Sequence, residues 1–130
     1  MNPFEQESAD AWCKAIGQSE AFRREGRNWK TRLGLIAGAK GILLDLEDGS
    51  CRSAKALSAE ETLREADTAF SSSEETWRAL IEGRENMVGA VMGGKVQIPK
   101  GSLLALAGYA GAASALLEAA RKSVRGIGTA

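Results

Sequence analysis

Gly41-Ile42-Leu43-Leu44-Asp45-Leu46-Glu47-Asp48-Gly49 is the stretch that decides the fold. An apolar run stops in Asp-Gly, the strongest short-range signal for a tight hairpin. A strand therefore ends at Glu47 and turns back on itself. Cys51 to Leu57 is the natural return strand, and Trp29 to Ile36, with Leu33 and Leu35 on one side, is the strand before it. Further out, Ala66 to Ser71 is a fourth strand, with either Ala66, Thr68 and Phe70 or Ala69 facing the core. Lys95-Val96-Gln97-Ile98 alternates as a short last strand, and Pro99-Lys100-Gly101 reads as a turn.

Helices fill the gaps. Asn2-Pro3-Phe4-Glu5 is a helix start, with Asn2 as cap and Pro3 in the first position. That helix is expected over about 3–25 with a break near Gly17, and Trp12, Cys13 and Ile16 share a face. Ser58-Ala59-Glu60-Glu61 is a capping box for a short helix, and Ser72-Ser73-Glu74-Glu75 repeats the signature before Trp77, Leu80 and Ile81. Asn86 caps a further turn or two carrying Met87, Val88, Val91 and Met92, which Gly93-Gly94 ends. The sheet and its helices occupy 29–98. A last helix over about 102–124 carries no charge from Gly101 to Leu117 and is rich in Ala and Gly. It is too short and too weakly apolar for a bilayer, which needs roughly 20 apolar residues. Small residues suit close packing, or the cover of an apolar cavity.

The 130 residues carry 17 Lys+Arg and 17 Asp+Glu, 44% hydrophobic and 26% charged, which fits one globular domain. Neutrality argues against a nucleic-acid binder. There is no histidine. That removes the commonest general base and metal ligand and every triad that depends on it. Neither a metal nor a catalytic set is expected. Cys13 and Cys51 read as two free thiols of a reducing compartment, with a bridge between them as the alternative, and no secretory signal is visible, so the expected location is cytoplasmic.

Other motifs read as structure. Gly89 to Val96 nearly fits a phosphate-binding loop, but Val96 has no hydroxyl and the glycines follow a helix instead of opening one. Asp45, Glu47 and Asp48 read as a solvated strand end, and Cys51 as a packed thiol despite Arg52 and Lys55 nearby. Arg23, Arg24, Arg27, Lys30 and Arg32 form a basic cluster that complements a helix end or meets an anionic membrane surface.

Taken in order, several strings resemble the sterol carrier protein 2 family of lipid-transfer domains. They are Leu44 to Gly49, Ala66 to Phe70 leading into Ser72 to Trp77, Leu80 to Asn86, and Met92 to Ile98. Pro99-Lys100 before Gly101-Ser102, and the Ala- and Gly-rich last helix, depart from the family pattern. The resemblance implies an α+β fold: a five-stranded, mostly antiparallel sheet covered by helices on one side, with a hydrophobic tunnel between them. It implies non-catalytic carriage of a fatty acid, fatty acyl-CoA, sterol or similar lipid, and no cofactor. The residues then expected to line the cavity are Trp77, Leu80, Ile81, Val88, Val91, Met92, Leu103, Leu104, Leu106 and Tyr109. Expected partners are the lipid and an anionic membrane met by Arg23, Arg24 and Arg27, with no nucleic acid. The alternative is an accessory domain with a closed core, its last helix packing in a homodimer; a small enzyme on the same fold is a third reading.

Overall fold

Asp48 and Gly49 both take positive φ, 48° and 80°, the pair of left-handed residues that a two-residue hairpin needs. Asp48 is pinned there: Oδ1 accepts from the Asn28 N–H at 2.9 Å, and its own N–H donates to Trp29 O at 3.0 Å. The turn joins β2 (Lys40–Glu47) to β3 (Ser50–Ser58). The computed structural model describes residues 5–101 and 108–128, with side chains described as far as residue 122. Strands β1 (Lys30–Ala37), β4 (Thr68–Ser72) and β5 (Gln97–Lys100) complete a five-stranded sheet in the order β3-β2-β1-β4-β5. Three neighbouring pairs are antiparallel and β1–β4 is parallel. The parallel pair arises because α3 (Ala59–Glu65) carries the chain from the β3 edge back across to β4. β5 runs through Pro99 where the sequence predicts a turn. An edge strand tolerates the missing N–H.

Alternation along the strands sorts the sheet into two faces. Leu33, Leu35 and Ala37 of β1, Ile42, Leu44 and Leu46 of β2, and Phe70 of β4 belong to the main core. Five helices cover that face: α1 (Gln6–Gly17), α2 (Glu20–Glu25), α4 (Glu74–Ile81), α5 (Met87–Met92) and α6 (Ala110–Gly128). Ile36, Leu43, Ala66 and Ala69 form a smaller cluster, and there α3 lies on the opposite face, a cover the sequence does not foreshadow. Gly41 permits its close approach: a Cβ at Gly41 would come within 2.8 Å of Thr62 Cβ. Thr62, fully buried, donates its hydroxyl proton to Ser58 O at 2.8 Å.

Local signals account for most helix ends. Ser58 Oγ accepts from Glu61 N, Ser73 Oγ from Thr76 N, and Asn86 Oδ1 from Gly89 N. The N-terminal segment is two helices, because Ser19 Oγ accepts from Phe22 N and restarts the chain after Gly17. The Asn2 cap and Pro3 lie outside the described residues.

The cysteines correct the sequence analysis. Cys13 of α1 and Cys51 of β3 form a disulfide, with Cα atoms 5.4 Å apart. A bulge explains why alternation conceals it. Leu44 pairs with Ala54 and Asp45 with Ser53, but Leu46 pairs with Cys51, leaving Arg52 as the extra residue. Regular pairing would set Arg52 opposite Leu46 on the core face. The bulge sets Cys51 there instead, and Arg52 turns to Glu47, 2.7 Å away. At the other end of α1, the Gln6 amide sits against the same edge strand. Its Nε2 donates to Ala54 O and its Oε1 accepts from Ala56 N, both at 2.9 Å.

Candidate functional site: an apolar cleft under the last helix

α6 places Ala112, Ala113, Leu116, Ala119 and Ala120 in the core. Such small side chains let its backbone come close to α1. Three contacts fix it. Trp12 Nε1 donates to Leu116 O at 2.8 Å, a buried bond between residues 104 apart in sequence. Arg121 Nε donates to Ile81 O at 2.7 Å, satisfying a carbonyl that the end of α4 leaves without a partner. Tyr109, just before α6, stacks on Trp29 with ring centroids 4.7 Å apart and planes 11° from parallel.

Between these contacts the helices and the sheet leave a narrow cleft. Its floor is Leu33, Leu35 and Phe70; its walls are Trp12, Trp29, Met87, Ala113, Leu116 and Leu117. Every lining side chain is aliphatic, aromatic or thioether, and the Trp12 N–H is already committed. The space left for the centre of a water-sized sphere is about 10 Å³, room for one water. Pockets for drug-sized ligands run to roughly 300–1,000 Å³. A larger guest therefore fits among these nine side chains only as they separate. Apolar walls offer burial of hydrocarbon; they offer no acid, base or nucleophile.

The fold has close counterparts among solved structures. A crystal structure of sterol carrier protein 2 superposes with a TM-score of 0.84 at 35% identity, covering 92% of this chain and 97% of that one. The chain belongs to the sterol carrier protein 2 family. A conserved hypothetical protein of Thermus thermophilus, described there as a candidate sterol carrier, is also 35% identical, with a TM-score of 0.83 and coverage of 92% and 88%. Sterol carrier protein 2 of Yarrowia lipolytica, in its apo form, shares the fold at 17% identity and a TM-score of 0.59, covering 93% and 95%. No protein-family model and no curated protein matches the chain.

Of the side chains expected from sequence, the described ones are not among the nine that line this cleft. Trp77 is buried and donates its Nε1 proton to Ile36 O at 2.8 Å, which fixes α4 on the sheet. Leu80 and Ile81 are core; Val88 and Val91 are partly buried against it. Met92 corrects the sequence analysis: it is 76% exposed at the end of α5, out in solvent. Leu103, Leu104 and Leu106 lie outside the described residues. Tyr109 borders the cleft through Trp29. The lining residues Trp12, Leu33, Leu35, Phe70 and Met87 carry a sequence signal only as apolar positions. Two of the three tryptophans, Trp12 and Trp29, flank the cleft, and that pairing was the available clue.

Several charged groups pair with one another or hold turns. Glu47 pairs with Lys30 and Arg52, Asp48 holds its turn, and Lys95 of the glycine-rich stretch pairs with Glu85. Among the described residues no group of three His, Cys, Asp or Glu is placed to hold a metal ion, and no helix is long and apolar enough to cross a membrane. Arg23, Arg24 and Arg27 are exposed on and just after α2.

Proposed function

We propose that this sterol carrier protein 2 family member binds one hydrophobic ligand — a fatty acid, fatty acyl-CoA, sterol or similar lipid — in the cleft under α6 and carries it without chemical change. The observation that carries the reading is the cleft itself: nine apolar side chains meet beneath a helix held by a few polar contacts. Each buried methylene contributes about 0.8 kcal/mol, so ten give roughly 8 kcal/mol. Ordering, association and the opening of the walls subtract from that, so Kd lies above ~1 µM, the value that about 8 kcal/mol alone would give. Selectivity by chain length is weak, since one methylene at about 0.8 kcal/mol changes Kd only about fourfold. Trp12, Trp29, Leu33, Leu35, Phe70 and Met87 touch the hydrocarbon, with Tyr109 at the rim. A lining of this kind supports a carrier and no reaction. Arg23, Arg24 and Arg27 supply the docking surface for an anionic membrane during exchange. In a cytoplasmic setting the Cys13–Cys51 bond is open to reduction.

The test is native mass spectrometry of the purified chain before and after exposure to fatty acids, acyl-CoA and sterols. A single adduct of a few hundred daltons, removed by solvent extraction, is the expected result. Failure of all three classes to bind would overturn the reading.

A further inference from the structure

We propose that the Cys13–Cys51 disulfide is a redox latch on the cleft, holding it shut when oxidised and letting α1 swing when reduced. The inference rests on the lipid-binding reading. It starts from the position of α1, which forms one wall. Trp12 puts its ring into the cleft and bonds Leu116 O; Cys13, the next residue, bonds Cys51 on the edge strand. Successive helical residues point about 100° apart. One turn of α1 is therefore held from two sides, by α6 through a hydrogen bond and by the sheet through a covalent bond.

The remaining polar tie to the sheet is at the start of the helix. Gln6 makes its two bonds to Ala54 and Ala56 there, about 10 Å along the axis from Cys13 at 1.5 Å per residue. With the disulfide intact, α1 is fixed at two points on β3 and cannot rotate. With it broken, the Gln6 end stays seated and the Trp12 end keeps only its packing and the hydrogen bond to Leu116 O, so its outward motion no longer has to break a covalent bond. That motion widens the cleft, whose nine described lining residues leave room for about one water. Cys13 and Cys51 are both only partly buried, so a reductant can reach them. Reduction is a dithiol exchange: a small or protein dithiol attacks one sulfur, the Cys13–Cys51 bond breaks, and two electrons and two protons pass to the pair. Two thiols result, and the donor leaves as its own disulfide. In a reducing compartment disulfides are rare and those that form are redox-sensing or catalytic.

The experiment compares uptake of cis-parinaric acid, a naturally fluorescent fatty acid, by oxidised protein and by protein reduced with dithiothreitol. The redox state is verified by mass, two hydrogens lighter when oxidised. Reduced protein is expected to load about tenfold faster, the factor that follows from lowering the opening barrier by about 1.4 kcal/mol. The double variant Cys13→Ser/Cys51→Ser should load at the reduced rate and ignore dithiothreitol. Hydrogen exchange on the same samples should rise over residues 10–17 on reduction, with the sheet unchanged. Equal loading rates in the two states would overturn the latch, as would a pair that stays reduced under mild oxidant. If neither state binds the fatty acid, the lipid reading fails, and exchange alone decides the latch: unchanged protection of α1 refutes it, and selective loss of protection there upholds the release of the helix.

Discussion

Trp12→Phe separates the two jobs assigned to Trp12, bracing α6 and walling the cleft. Trp12 is 3% exposed, and its Nε1 donates to Leu116 O. Phenylalanine loses that bond, worth about 0.5–1.5 kcal/mol net. The carbonyl is not orphaned, because it keeps its place in the α6 ladder. The smaller ring also leaves unfilled space beside Leu116, costing roughly 1–2 kcal/mol as in other core truncations of a few atoms. The sum is about 1.5–3.5 kcal/mol. For a domain of this size a urea slope of about 1.5 kcal/mol per molar turns that into a midpoint lower by roughly 1–2 M. Ligand affinity should move the other way. The ligand must separate the walls, the variant has already loosened one, and the hydrocarbon refills the space. Each 1.4 kcal/mol of opening cost removed tightens Kd about tenfold. The assay is urea unfolding with and without fatty acid, beside a fluorescence titration. A midpoint change worth less than about 0.5 kcal/mol would refute the brace, since even the lost hydrogen bond should exceed it. Lower stability joined to weaker binding would refute the claim that this wall must move.

Gly41→Ala drives a Cβ against Thr62 and should cost about 1–3 kcal/mol by urea unfolding; Gly17→Ala meets nothing within 4 Å and should cost nothing. Reducing or replacing the Cys13–Cys51 pair, 38 residues apart, should cost about 4 kcal/mol in the chain-entropy account, read as a lower thermal midpoint in dithiothreitol. Asn86→Ala removes the cap that accepts from Gly89 N at 2.7 Å and should cost about 1 kcal/mol. Charge reversal at Arg23, Arg24 and Arg27 should abolish low-salt binding to phosphatidylserine vesicles, at about 1 kcal/mol per cation near the surface; unchanged sedimentation with vesicles would exclude this docking surface.

Much of the frame was legible because its signals are local. Asp48-Gly49 announces its turn, and Ser58, Ser73 and Asn86 announce their helices, since each acts on a backbone group within three residues. The cleft was less legible because its walls meet only in three dimensions. Trp12 reads as an apolar helix position, and nothing in the local chain says that its N–H reaches residue 116. Leu33 and Leu35 alternate as strand residues must, but alternation cannot separate a cleft floor from a closed core. Met92 sits in an apolar run and nevertheless faces water, because the helix ends there and Gly94, at φ 77°, turns the chain away. The disulfide was hidden for a sharper reason. One extra residue in β3 inverts the side on which Cys51 emerges, and no period-two reading anticipates that inversion.

The Gln6 amide has a consequence for how chains meet. A primary amide carries the same donor and acceptor as a peptide group. Seated on Ala54 O and Ala56 N, it occupies the middle rung of the outermost strand as a one-residue stand-in for a neighbouring strand. An uncovered edge invites another chain to zip onto it and begin a fibre. A molecule stripped of α1 would present that rung bare, so the first helix works as an anti-polymerisation guard as well as a wall.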